Sequence, residues 1–513
     1  MSKSKAYYNL SPNEIEAKLL TDRLWSSANK IRGYVDGREY KFYFLTIFFF
    51  KYISDYWKAN VFSNIGLHNQ KETSAKNWIK PRFIIPENDA FDDIRNYSDS
   101  NNLGERLNKA FHEIEGANLD KFEGIFSNLD FNDSKILGEE RSKNILLREL
   151  IISLEEIDLR SYTIYNEIIA RAFEMLLERF LQQSGKMGEE YQTPFQISEL
   201  LAKLLEPQNN ESIYDPACGS GSILIRLCQS REEKMAGAHL YGQEINSNIC
   251  SIAKMNMIIH ELDDAHVTGG DSINYPKFIN KKSKTLQKFD VVASNPPFSV
   301  GNWWKSGPEY NRFKWGMPPQ SKSDYAFIQH MLASSTDTAG RVGIIVNHGV
   351  LFRAGIESKI RKKIIEDDLL EAVIGLPNNL FSYTSLPVAV LLFRNGRSKD
   401  SNILFIDAAR EFIQDKRKNI LTLEGIERIV STYKAFKEDP SDKNLSILGF
   451  SHICSKSELA ANEYNLNLSR YIHYQNEEEK IDIEELKLEV EKLDEELNKV
   501  RNAIRHNLSE LGL

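Results

Sequence analysis

From about residue 185 onward the chain changes rhythm, and that rhythm constrains the fold more than any other feature. Short runs rich in β-branched and apolar residues alternate with helical stretches. The predicted strands are Ser212–Asp215, His239–Glu244, His266–Thr268, Phe289–Ser294, Val342–Asn347, Glu371–Gly375 and Ala389–Arg394. Such alternation predicts an α/β architecture, a mostly parallel sheet with helices on both faces. Ligands of such sheets bind beyond the carboxyl ends of the strands, near the point where strand order reverses. Residues that directly follow a strand are therefore the first candidates for chemistry.

The flanks read differently. Residues 11 to about 165 are mostly helical, with Leu24, Trp25, Ala28 and Ile31 recurring on one face. Phe42 to Trp57 is denser and reads as a central helix. Its run Phe42 to Phe50 has nine residues and contains Thr46; a membrane-spanning helix needs about 20 apolar residues, so a core helix is expected. Near the end, Ile483, Leu486, Val490, Leu493, Leu497, Val500, Ile504 and Leu511 follow three- and four-residue spacing, which predicts a coiled-coil helix. The expected division is a helical domain over 1–165, a catalytic domain over 166–410, a helical extension over 411–475 and the coiled-coil helix over 476–513.

Composition sets the limits. The 513 residues are 41% hydrophobic and 27% charged, ordinary for a soluble globular chain, and the formal charge is −8. No global cationic field draws the chain onto DNA or anionic lipid. Residues 476–500 hold 11 acids and 4 bases, so the acidity is concentrated in the predicted terminal helix and the body is nearly neutral. Cys218, Cys228, Cys250 and Cys454 form no Cys-x-x-Cys pair, and buried thiols in a reducing compartment are expected, with no metal site. The opening MSKSKAYYNL has no apolar signal region, which predicts a cytoplasmic protein without a membrane segment.

Three loops follow strands in order. Asp215-Pro216-Ala217-Cys218-Gly219-Ser220-Gly221-Ser222 joins the first predicted strand to a helix, and its glycines allow close approach of backbone to a ligand. It has neither the Gly-x-Gly-x-x-Gly of dinucleotide folds nor the Gly-Lys-Ser/Thr of a phosphate loop. Glu244 ends the second strand, where an acid can accept both ribose hydroxyls of an adenosine ligand. Asp271 follows the third, at a depth suited to an adenine amino group. Singly, each acid reads equally well as a surface residue or a helix cap. The fourth loop, Asn295-Pro296-Pro297-Phe298, follows FDVVAS. Its two prolines remove two backbone donors and stiffen it. An Asn oxygen and a proline carbonyl can each accept an N–H bond from an amine, and the Phe298 ring can stack on a base swung out of a duplex. Upstream, Glu190-Tyr191-Gln192-Thr193-Pro194-Phe195 precedes a predicted helix, for which Thr-Pro is an ordinary start.

This set resembles the S-adenosylmethionine-dependent amino-methyltransferases, in which the Asn-Pro-Pro-aromatic loop binds the amine to be methylated. Further stretches are similar to the modification subunit of type I restriction-modification DNA methylases: Leu24-Trp25 through Phe50-Lys51-Tyr52-Ile53-Ser54-Asp55, Lys314 to Pro319, Ser323-Asp324-Tyr325-Ala326-Phe327, Gly349-Val350-Leu351-Phe352-Arg353, Val373 to Pro377 and Tyr464 to Tyr471. The resemblance covers almost the whole chain.

The resemblance implies a Rossmann-like methyltransferase fold and N6-adenine methylation of double-stranded DNA that protects the host. It assigns catalysis to Asn295, Pro296, Pro297 and Phe298. It assigns S-adenosylmethionine binding to Glu190, Tyr191, Gln192, Thr193, Pro194, Phe195, Asp215, Gly219, Ser220, Gly221, Ser222, Glu244 and Asp271. Family members often carry a basic residue where Phe195 stands. The implied partners are a specificity subunit that reads the DNA, with two modification subunits per specificity subunit, and restriction subunits that can join. No basic, aromatic-rich recognition domain is visible in the sequence itself, and base readout must come from somewhere. Methylation of a protein glutamine amide, a cofactor-binding assembly subunit without transfer, and a stand-alone adenine methylase are the competing readings.

Overall fold

The computed structural model describes residues 11–31, 39–67, 82–183, 193–230, 239–305, 309–381, 385–415 and 418–474, with a few positions between 493 and 504. Thirteen strands occur among them. They are β1 (Ser212–Asp215), β2 (His239–Glu244), β3 (His266–Gly269), β4 (Ile279–Asn280), β5 (Thr285–Leu286), β6 (Val291–Ser294), β7 (Arg341–Asn347), β8 (Leu370–Gly375), β9 (Val388–Arg394), β10 (Ile403–Asp407), β11 (Phe412–Gln414), β12 (Asn419–Leu421) and β13 (Ser451–Cys454).

Nine of them form one sheet, in the order β13-β10-β8-β9-β7-β6-β1-β2-β3. Strands β1, β2, β3, β6 and β7 run parallel, whereas β9 runs antiparallel between β7 and β8. All seven predicted strands are present, within one or two residues at their ends. They read clearly because both faces are covered, so β6 and β8 are buried along their whole length. The order reverses beside β1, which pairs with β2 on one side and β6 on the other. The glycine loop and the Asn-Pro-Pro loop leave these adjacent strands at the same end.

The helical domain is built round helix Tyr40–Leu67. Every side chain from Phe42 to Ser54 is buried. A helix apolar on all sides must be wrapped by others. Phe48 stacks on Phe173, Phe50 meets Phe111 edge-on and Phe44 meets Phe180. Phe173 and Phe180 belong to helix Asn166–Gln183, which lies past the expected boundary at 165 yet fills the helical core with its stripe Ile169, Phe173, Leu176 and Phe180. No helix among the described residues is long and apolar enough to cross a membrane.

One helix belongs to both parts. Helix Ser247–Ile259, which follows β2, gives Ile249, Ile252, Met255, Ile258 and Ile259 to the helical core. Its Cys250, Ala253 and Met257 pack into the sheet's core. Polar ties reinforce the joint. Arg82 donates to Asp263 through Nε at 2.7 Å, and Asn128 Nδ2 donates to Ser251 Oγ at 2.8 Å. Asn166 links the two sides by accepting from Tyr52 at 3.0 Å and donating to the Ile259 carbonyl.

The segment 411–475, expected to be a helical extension, is mixed. It holds helices Leu423–Glu438 and Lys456–Ala461, but also the β11–β12 ribbon and β13, which pairs antiparallel with β10 and closes the sheet's edge. The strands FIQ and SHIC lack the continuous buried run that marks β6 and β8. Strand β10 was likewise not foreseen. Most of the predicted coiled-coil helix lies outside the described residues; Leu493, Leu497, Val500 and Ile504 are helical and exposed.

Candidate active site

A cavity opens at the carboxyl ends of β1, β2, β3 and β6. Its wall includes Thr193, Pro216–Gly219, Glu244, Gly270, Asp271, Asn295 and Pro297. Four loops far apart in sequence therefore converge on one space, as their positions after strands require.

The glycine loop is shaped by backbone. Gly219 and Gly221 have φ of 53° and 82°, in the left-handed region that favours glycine. A Cβ on Gly221 would lie 2.5 Å from the Met257 methyl. The turn delivers the chain into helix Ser222–Gln229, whose first residues have no side-chain cap. Asn256 Nδ2 donates to the Ser220 carbonyl at 2.9 Å and holds the loop from behind.

Asp215 is wholly buried beneath this loop. Its Oδ1 accepts from Ser294 Oγ at 2.6 Å and from the Ala217 N–H at 2.9 Å. Its Oδ2 has no partner among the described residues. Burial without a counter-ion pushes its pKa up to about 7, with the nearby Glu244 adding to the rise. Glu244 is also buried, and its pKa is raised by the same desolvation. It accepts the Gly219 N–H at 3.0 Å through Oε2 and the Asn246 N–H at 2.9 Å through Oε1. Each of its oxygens keeps acceptor capacity toward the cavity.

Asp271 lines the cavity but is engaged in a local turn. Oδ1 accepts from the Ile273 and Asn274 N–H groups at 2.9 and 3.0 Å, and Oδ2 from Asn274 Nδ2 at 2.6 Å. Asn274 Nδ2 also donates to the Trp303 carbonyl at 2.7 Å, which fixes the cavity-lining Trp303.

Asn295 follows β6 and is buried. Its Nδ2 donates to Thr193 Oγ1 at 3.1 Å, and its Oδ1 is buried with no partner among the described residues. Thr193 thus orients the amide: the nitrogen is taken, and the oxygen has no protein partner among the described residues. Phe298 is half-buried and meets Phe381 edge-on, with ring centroids 6.3 Å apart.

Of the residues expected at this site, Glu190, Tyr191 and Gln192 lie outside the described residues. Pro194 caps the start of helix Phe195–Leu205. Phe195 does not line the cavity. Its ring lies against the guanidinium groups of Arg171 and Arg226, 4.9 and 4.1 Å from its centroid. Position 195 makes cation–π contacts instead of lining the cavity, and Glu174 and Glu199 offset the charge of Arg226. Ile245, Ser272, Ile273, Val300, Trp303, Ser323 and Phe327 line the cavity and were not foreseen. Ile245, next to Glu244, and Ser272, next to Asp271, were within reach of sequence reasoning.

All four cysteines are buried free thiols. Cys454 lies beside His452 and Glu458, the one such group among the described residues whose ligand atoms come close together. His452 is engaged with Glu458 at 2.9 Å, on the edge strand opposite β3 and away from the cavity.

Comparison with known proteins meets this geometry. The N-6 DNA Methylase family model matches residues 165–480, and the HsdM N-terminal domain model matches residues 20–154. The chain belongs to the N-6 DNA methylase family. The methylase is 28% identical to the type I restriction enzyme MpnII methylase subunit of Mycoplasma pneumoniae, over 95% of both chains. It is 33% identical to the MjaVIII methylase subunit of Methanocaldococcus jannaschii, over 79% of this chain and 68% of that one. The crystal structure of the type I restriction-modification methyltransferase subunit from Streptococcus thermophilus superposes with a TM-score of 0.76 at 26% identity, covering 89% of this chain and 99% of that one. The methylase therefore has the methyltransferase fold of type I modification subunits.

Proposed function

We propose that the methylase transfers a methyl group from S-adenosylmethionine to the N6 amine of adenine in DNA, as the modification subunit of a type I restriction-modification system. The observation that carries the site assignment is Asn295 Oδ1, a buried acceptor with its amide nitrogen already engaged, facing a cavity shared with the glycine loop, Glu244 and Asp271. A buried polar atom without a partner is strongly disfavoured unless a ligand supplies one.

The residues present suit the cofactor. Glu244 stands where an acid accepts ribose hydroxyls, Asp271 beside the space for adenine, and the N-terminus of helix Ser222–Gln229 favours a carboxylate. Asp215, short of a counter-ion, is suited to a cationic group above the loop. When bound, the cofactor supplies an electrophilic methyl on a sulfonium.

The chain's own part is orientation. An exocyclic adenine amine is a poor nucleophile because its lone pair is delocalised into the ring. Asn295 Oδ1 and the Pro296 carbonyl each accept one of its N–H bonds, which favours a pyramidal nitrogen and aims the lone pair. Thr193 keeps Asn295 facing that way, and Phe298 holds the extruded base by its face. Preorganised acceptors of this kind lower the barrier without a strong general base.

Base readout comes from a separate specificity subunit, with two methylase chains per specificity subunit, and restriction subunits add to that complex. A labelled-cofactor assay on duplex DNA, with and without the specificity subunit, followed by nucleoside analysis, tests this. Label in N6-methyladenine at defined sites only with the partner is expected. Label in a protein glutamine, or sequence-specific methylation by the isolated chain, overturns the reading.

A further inference from the structure

The catalytic loop must be held at both ends if Asn295 and Phe298 are to stay in register with a target base. Its entry is fixed by Ser294 on Asp215 and by Asn295 on Thr193. Its exit is fixed by a group that the sequence does not connect to it. Ser299, directly after Phe298, has φ of 54°, a left-handed conformation that a residue with a Cβ rarely adopts. Both its backbone N–H and its hydroxyl donate to the Asp324 carboxylate, each at 3.1 Å. The next N–H, of Val300, donates to Ser323 Oγ at 3.2 Å.

Asp324 is itself locked. It is the first residue of helix Asp324–Ser334 and is 4% exposed. Asn347, the last residue of β7, donates to its Oδ1 at 2.9 Å. Arg353 donates to its Oδ2 through both terminal nitrogens, at 3.1 and 3.0 Å, and returns to Asn347 Oδ1 at 3.0 Å. A second arm runs from Arg353 to Glu357 at 3.2 Å. Strand β7 lies beside β6, which carries the catalytic loop. The exit of the loop is thereby tied to the neighbouring strand through one carboxylate with all its acceptor sites in use.

We propose that Asp324 is a positioning residue for methyl transfer: it holds Ser299 in the left-handed conformation that sets Phe298 and Asn295, and Arg353 and Asn347 hold Asp324. The proposal rests on the adenine-methylation reading above. It predicts that loss of the carboxylate impairs chemistry and base capture while leaving the cofactor in place. The hydrogen bonds of the Asp324 carboxylate go to Ser299, Asn347 and Arg353, with none to the glycine loop or Glu244 among the described residues.

The test uses the full chain assembled with its specificity subunit. Single-turnover kcat, the cofactor Kd and the fluorescence of 2-aminopurine placed at the target adenine are measured for wild type, Asp324→Asn, Asp324→Ala, Ser299→Gly and the Asp324→Ala/Ser299→Gly double variant. Asp324→Asn should lower kcat by about 100-fold, the effect of misplacing reacting groups by roughly an ångström. Cofactor Kd should stay within about twofold, and the 2-aminopurine signal should change. Glycine adopts the left-handed conformation freely, so the double variant should regain about tenfold over Asp324→Ala. That rescue separates positioning from general stability, because Ser299→Gly adds no contact. If Asp324→Ala does not fold, Asp324→Asn decides alone. A kcat for Asp324→Asn within threefold of wild type, or a cofactor Kd that weakens in step with kcat, overturns the proposal. Absence of adenine methylation by the wild-type complex would instead overturn the function on which it rests.

Discussion

The helical domain and the sheet each bury a carboxylate, and they treat it in opposite ways. Asp55, in the central helix Tyr40–Leu67, is 2% exposed, and both its oxygens accept from Lys51 Nζ, at 2.7 and 2.6 Å. Asp215, at the end of β1, is 1% exposed and meets no cation; one oxygen has two donors and the other has none among the described residues. The first acid is complete within the fold. The second keeps one oxygen without a partner among the described residues. Burial alone does not mark a functional residue; burial with a missing partner, directly before a cavity-lining loop, makes Asp215 a candidate.

The largest expected effect lies on the unfinished side. Asn295→Ala should reduce methyl transfer by about 10³-fold, at the upper end for removing one preorganised polar group from an active site. Calorimetric cofactor binding should remain within a few fold of wild type. A small loss of rate would mean that the unpartnered oxygen of Asn295 is not what the amine meets.

On the finished side, Lys51→Ala should destabilise the chain by about 3–5 kcal/mol, the usual result of stranding one member of a buried ion pair. Thermal unfolding followed by circular dichroism reads this directly. An unchanged Tm would erase the contrast between the two acids.

Asp215→Asn should do the reverse of Lys51→Ala. The pKa of Asp215 is raised in the fold to about 7, above its ordinary value near 3.8. The folded chain therefore holds a proton that the unfolded chain releases, so the group's contribution to stability falls as pH rises between those values. The asparagine keeps an acceptor for Ser294 and Ala217 and removes the charge. Its Tm should exceed wild type by about 2–4 °C at pH 8, with the difference shrinking toward pH 5. Cofactor affinity should fall at least about tenfold, the equivalent of one lost charge-assisted hydrogen bond. A variant that is both stabilised and fully able to bind would break the assignment of Asp215.

The smallest effect belongs to Thr193→Val, which leaves the Asn295 amide nitrogen without its acceptor. Transfer should slow by about tenfold, a loss in the range of one neutral hydrogen bond, with Tm nearly unchanged. Thr193→Ser should restore it.

Much of this site was legible in the sequence because each piece follows a strand. The alternation exposed β1, β2, β3 and β6, and the residues after them fell into place at one cavity. What stayed hidden depends on proximity across the chain. Thr193 and Asn295 are 102 residues apart, and nothing in their spacing announces a bond. Ser299 looks like any loop serine until its backbone is seen in the left-handed region. Phe195 stood out as a departure, but only the fold shows Arg171 and Arg226 against it. The edge strand β13 was missed for a different reason: its middle residues are only half-buried, so SHIC neither alternates nor runs apolar.

The helix Ser247–Ile259 bears on inheritance. A chimaera joining this catalytic segment to the helical domain of a distant relative would have to match Ile249, Ile252, Met255, Ile258 and Ile259 to foreign neighbours, with the cavity-lining Glu244 only a few residues upstream. A mismatch at that helix would be felt at Glu244, on the strand that leads into it. The shared helix therefore couples the two cores, so that changing one side of it changes the packing of both.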